Sequence, residues 1–188
     1  MTTVGMLILI NSGTSLSALQ PEVKKITMII TALFTFVFPA SMIIMLYLTK
    51  MIKNIDLHDR AERTLPITLT IILYLFTFFI MRGIPQLTAG HIVFLFCPPL
   101  ALFIVLVLNR FMKPSIHMLG VGILTGIILV IMIFYGARIQ LILIATILAS
   151  GILGTSRLLL KTHQPIEILA GFLGGFLTTS LVMIIYIL

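Results

Sequence analysis

Between its charged residues the chain carries six long apolar runs, residues 26–48, 65–81, 91–108, 118–136, 139–154 and 165–188. Few folds accept such a pattern. Crossing a hydrocarbon core of about 30 Å takes roughly 20 helical residues at about 1.5 Å each, and every run is of that order. None alternates polar and apolar residues with a period of two, as a membrane barrel would require. The remaining way to satisfy backbone polar groups in lipid is the helix. Composition agrees: 60% of the 188 residues are hydrophobic and 9% are charged, with a mean hydropathy of +1.26. The expectation is an all-α integral membrane bundle of six transmembrane helices. No internal repeat or low-complexity linker divides residues 1–188, so a single domain is expected.

Pro39 and the run Cys97-Pro98-Pro99 interrupt the first and third spans, where a missing amide donor predicts a bent helix. Residues 1–25 lack the basic start of a cleaved signal, and their apolar stretch, residues 4–10, is short for one. They are expected to form an amino-terminal surface segment, lying along the membrane or against the bundle. Cys97 is the single cysteine and falls inside a span, which leaves it a packing role. The net charge of +7 is scattered among short loops. That distribution points to membrane lipids and phosphate, with no nucleic-acid partner; oligomeric state is not legible.

Six crossings allow a parity argument, because loops separated by two spans face the same side. Residues 50–63, 109–117 and 155–163 fall together on one side. They bring Lys50, Lys53, Arg60, Arg63, Arg110, Lys113, Arg157 and Lys161, with His58, His117 and His163. The opposite side receives Lys24, Lys25, Arg82 and Arg138.

The three segments carry recognisable spacings. Ser156-Arg157, five residues, His163, three residues and Glu167 resembles the S-R-x5-H-x3-D signature of the type 2 phosphatidic acid phosphatase superfamily, with Glu for Asp. Pro114-Ser115-Ile116-His117 resembles that superfamily's P-S-G-H, with Ile116 for glycine. Lys53, six residues and Arg60 is similar to its K-x6-R-P, with Ala61 for proline, and Arg63 is an alternative partner if the motif is slipped. The order of the three motifs and the six-span architecture also match. The resemblance covers residues 53–167 and implies a metal-independent, cofactor-free lipid phosphatase.

The chemistry suits these residue types. A phosphate ester carries one to two negative charges, and its transfer spreads charge over three equatorial oxygens. Arg60, Arg63 and Arg157 are suited to paired hydrogen bonds, Lys53 to a compact charge, and Ser115 and Ser156 to hydroxyl donation. The resemblance assigns His163 as the nucleophile that forms a phosphohistidine, and Glu167 as the carboxylate that fixes its tautomer. It assigns His117 as the acid and base for leaving group and water. Substrates implied are phosphatidate-like lipids, isoprenyl diphosphates or phosphorylated glycolipids.

Other readings of the same residues are a non-catalytic lipid-binding or assembly protein and a small anion transporter. Glu167 would favour a helix amino terminus in any protein, and Arg157 and Lys161 would anchor a helix end at head groups. Thr88-Ala89-Gly90-His91 also looks like P-S-G-H, but parity puts it on the opposite side, as a helix end. Lys and Arg number eight against four between the two sides, and three against four once Lys53, Arg60, Arg63, Arg157 and Lys161 are set aside as ligands or their neighbours. The positive-inside rule therefore does not fix orientation. The resemblance implies a periplasmic site in a bacterial inner membrane.

Overall fold

Pro21 opens the first crossing, at a helix position where its missing amide costs nothing. The computed structural model describes residues 1–55 and 59–188, apart from the side chain of Leu16; Asp56 and His58 lie outside the described residues. Helix α2 (Pro21–Ala32) passes through one wide turn, Leu33–Val37, into α3 (Phe38–Leu48). There follow α4 (Arg60–Arg82), α5 (Ala89–Leu108), α6 (Ile116–Phe134), α7 (Gln140–Leu159) and α8 (Pro165–Ile187). Counting α2 and α3 as one, six helices are long and apolar enough to cross a membrane. Among the described residues there is no strand. The protein is an all-α integral membrane bundle.

Pro39 explains the wide turn. Having no N–H, it cannot donate to the carbonyl of Thr35 four residues earlier. That carbonyl instead accepts the Tyr74 hydroxyl of α4 at 3.0 Å. A lost intrahelical bond thus becomes a link between spans. Pro98 and Pro99, by contrast, are buried inside a continuous α5.

Helices α6 and α8 form the centre. A Cβ at Gly122 would strike the carbonyl of Phe172, and one at Gly175 the carbonyl of Leu119. Hydrogen at these positions lets the two backbones touch, the usual means of close packing where water does not drive helices together. Helix α5 packs on α8, α4 on α5, and α7 chiefly on α6. α7 is the least enclosed span, with Leu141 and Ile152 fully on its lipid side.

Of the two positions expected for the amino-terminal segment, along the membrane or against the bundle, its helical part takes the second. Residues Thr2–Ile10 form a short helix, α1, that packs against α5 and α6. Met6, Leu9 and Ile10 are fully buried, and Gly5 sits against the Phe94 ring. An apolar stretch too short to span a membrane gains more by filling the space among longer helices than by lying in the head-group region. The first span also begins at Pro21, five residues ahead of the apolar run, so Lys24 and Lys25 lie within its first turns.

Candidate functional site

The loop between α5 and α6 crosses over the amino terminus of α8, and hydrogen bonds pin it there. Ser115 N donates to the carbonyl of Glu167 at 3.0 Å, and Lys113 N donates to Glu167 Oε1 at 3.2 Å. Two features of sequence produce this junction. Pro165 starts α8, and Glu167 in its first turn reaches back to Gln164 N at 3.0 Å in a capping box. Gly171, one turn on, is packed so closely under Ser115 that a Cβ would strike its carbonyl. Ser115 in turn caps α6, its hydroxyl accepting from Met118 N at 3.5 Å.

His163 stands immediately before that cap. Its Nδ1 donates to Glu167 Oε2 at 3.2 Å and also faces the carbonyl of Lys113 at 3.2 Å. With two acceptors on that nitrogen, the neutral ring carries its hydrogen at Nδ1. Nε2 is then the lone-pair nitrogen. The imidazole side chain is only 5% exposed. Burial, and after it the Arg63 cation, holds the His163 pKa below its usual value, outweighing the bond to Glu167. A neutral, oriented imidazole at neutral pH is the result, and such a ring is chemically a nucleophile or a base.

Two cations surround this ring. Arg63 is buried in the first turn of α4, donates from Nη1 to the carbonyl of Pro114 at 3.0 Å, and has the Glu167 carboxylate as counter-charge. Lys113 donates from Nζ to the carbonyl of Thr162 at 3.4 Å. Its pKa is lowered by burial first and by Arg63 next, with Glu167 acting in the opposite sense. Three segments far apart in sequence, residues 60–63, 109–115 and 162–167, thus meet at one end of the bundle. His163 and Glu167, with Lys161 and Thr162, line an open cleft of about 490 Å³ there.

Other sequence-selected residues lie elsewhere. Lys53 is 80% exposed at its side chain and pairs loosely with Glu62 at 3.9 Å. Arg60 donates to the carbonyl of Phe111 at 2.9 Å and lines a separate pocket with Asn109 and Arg110. Arg63, three residues on, holds the central position. Depth decides this, since the two arginines share a helix face but Arg60 is the exposed first residue of α4 and Arg63, one turn on, is buried. The Ser156 hydroxyl is turned back onto the carbonyl of Ile152 at 2.8 Å. Arg157 is half-buried at the end of α7, its Nε without a hydrogen-bond partner among the described residues, and it does not line the cleft.

His117 is exposed and borders a different cavity, about 310 Å³, with Thr2, Tyr74 and Gly120. It lies two positions past Ser115, so the helix carries it to the opposite side of α6 from α8. With Ile116 before it and α6 already begun, no loop remains to turn His117 toward His163. His91 is buried at the start of α5, at the other end of the bundle from Asn109, with Nδ1 against the Thr88 hydroxyl at 2.7 Å.

Lys113 is the central residue that motif spacing did not single out. It sits directly before Pro114-Ser115, and its backbone both donates to Glu167 and accepts from His163. Adjacency to a recognised motif was the available signal. Among the described residues, no cluster of three or more His, Cys, Asp or Glu side chains is placed to hold a metal ion. No protein-family model matches the chain, and no curated protein or solved structure is similar to it.

Proposed function

We propose that this chain is an integral membrane phosphatase that hydrolyses a lipid phosphate through a phosphohistidine at His163. The observation that carries the reading is the clamp on Nδ1, held between Glu167 Oε2 and the carbonyl of Lys113 at 3.2 Å each. That clamp leaves Nε2 as the attacking lone pair and puts a carboxylate behind the ring as positive charge develops. The motif resemblance to the type 2 phosphatidic acid phosphatase superfamily supports the same assignment. So do the six spans; a periplasmic site in a bacterial inner membrane is what that resemblance implies.

Nε2 of His163 attacks phosphorus, and the bond from phosphorus to the lipid oxygen breaks. The departing alkoxide takes a proton from the Lys113 ammonium, whose lowered pKa brings it closer to a useful acid. Water then attacks the phosphohistidine, returns a proton to Lys113 and releases inorganic phosphate with His163 restored. Arg63 balances the phosphoryl charge throughout, and Lys113 adds to it whenever it holds its proton. His117 borders another cavity and takes a secondary role.

The test is release of inorganic phosphate by purified protein from phosphatidate, an isoprenyl diphosphate and a phosphorylated glycolipid. His163→Ala is expected to abolish release from whichever lipid is used, while His117→Ala keeps most of it. Wild-type protein inactive on all three would sink the proposal. A second reading, a non-catalytic lipid-binding protein, is favoured by the way Glu167 staples two loops with backbone bonds. It predicts lipid binding with no phosphate released.

A further inference from the structure

The seam where α4 begins and α5 ends holds a second group of cations, apart from those around His163. Arg60, the first residue of α4, and Arg110, two residues past the end of α5, line one pocket with Thr64 and Asn109. Bonds across the seam give that pocket a fixed frame. Arg60 donates from Nη1 to the carbonyl of Phe111 at 2.9 Å, and Asn109 donates from Nδ2 to the carbonyl of Arg60 at 2.9 Å. Only part of the Arg60 fork is spent in this way, since a guanidinium carries five N–H donors. Among the described residues no carboxylate lines the pocket. Glu62, on the same turn as Arg60, is turned to Lys53 and accepts its amide at 3.1 Å.

Asn109 adds an acceptor to these donors. The residue is 6% exposed, and its Oδ1 has no hydrogen-bond partner among the described residues. Buried acceptors are seldom left so. The pocket therefore suits a ligand with two features at once, an oxyanion for Arg60 and Arg110 and a hydrogen-bond donor for Asn109. Depth narrows the source. The pocket lies where two spans end, and the exposed apolar side chains of Leu65, Val107 and Phe111 adjoin its residues in sequence. A bilayer presents its phosphodiesters at that level, and basic pockets between spans attract anionic head groups.

We infer that the pocket of Arg60, Arg110 and Asn109 binds the phosphate of an anionic phospholipid whose head group carries free hydroxyls, as in phosphatidylglycerol. A choline head group offers Asn109 no donor, and an ethanolamine head group brings a positive charge between two arginines that are always charged. A polyol supplies donors without charge. Hydrogen phosphate, with a hydroxyl of its own, shares this chemistry and is the other source to be separated. A phosphodiester bound here is a resident lipid and is not consumed, so the inference stands whether or not His163 is a nucleophile.

The experiment is native mass spectrometry of the delipidated full chain, titrated with phosphatidylglycerol or with phosphatidylcholine of identical acyl chains. One phosphatidylglycerol should be retained at a several-fold lower concentration than phosphatidylcholine. That preference should fall several-fold in Arg110→Gln, at an exposed side chain, and persist in Arg138→Gln at the other end of the bundle. Arg60→Gln should act like Arg110→Gln; because it also gives up the bond to Phe111, the Arg110 variant decides if the Arg60 variant does not fold. The second arm is the Tm of delipidated protein with millimolar inorganic phosphate. A rise that depends on Arg110, without any lipid preference, assigns the pocket to the free anion. Equal retention of the two lipids with no such rise, or a lipid preference untouched by Arg110→Gln, would overturn the inference. Phosphate release plays no part in either arm, so failure here leaves the phosphatase reading intact, and failure of that reading leaves this pocket intact.

Discussion

Glu167 Oε2 is shared between the His163 imidazole and the Gln164 amide, while Oε1 takes the amide of Lys113. Replacing one oxygen by an amide nitrogen sets donor against donor. Glu167→Gln should therefore abolish phosphate release and also lower stability by about 1–3 kcal/mol, seen as a drop in Tm in detergent; unchanged turnover would remove Glu167 from the mechanism. The pH dependence follows from His163. Its folded pKa lies below its usual value, so the unfolded chain holds a proton that the folded one rejects in the window between the two values. Stability contributed by the neutral ring is complete above pH 6.5 or so and declines as pH falls through that window. Phosphate release should fall on the acid side, be level from about 6.5 upward, and fall again where Lys113 loses its proton, and Arg63→Gln, which removes a cation, should move the acid limb to higher pH in a pH-rate profile. At this scale the sequence was informative about residue types and less so about direction. Spacing pointed to His163 and Glu167, whose separation of four residues joins them across a proline-initiated cap. It could not separate Arg60 from Arg63, or turn His117 away, because those outcomes depend on where a helix begins.

The α6–α8 pair rests on glycines whose hydrogens lie against carbonyls of the facing helix. Gly122→Ala and Gly175→Ala should each force the helices apart, at a cost of about 1–3 kcal/mol, whereas Gly151→Ala on α7 meets open space and should leave Tm unchanged. An equal loss at all three positions would mean that close approach does not set the cost, since helix propensity alone favours Ala over Gly. Small residues within a span suit close helix packing, and Pro39 foretold a bend in the first span. Neither could tell that the bend would be one wide turn sealed by Tyr74, since that bond joins residues on two different helices. The same gap hid Lys113: a backbone amide and carbonyl have no signature in side-chain identity.

For the whole molecule, counting crossings was enough to place residues 60–63, 109–115 and 162–167 at one end, and hydrogen bonds between those segments bear that out. Single cysteines at Asn54, Arg110 and Lys161, all exposed, should react with a membrane-impermeant maleimide from one side of sealed vesicles, and those at Arg82 and Arg138 from the other. Cys97 is fully buried and adds little background. A split among the first three would break the six-span topology. What crossing number could not reveal is α1, because its seven-residue apolar stretch, residues 4–10, is equally compatible with a surface and with a gap in the bundle. The seat of α1 is built by Phe94 and by α6 around Gly120, both of which leave the ribosome long after it. At about 5–20 residues per second, α1 waits several seconds for these partners, so its apolar side chains stay uncovered until α5 and α6 have been made.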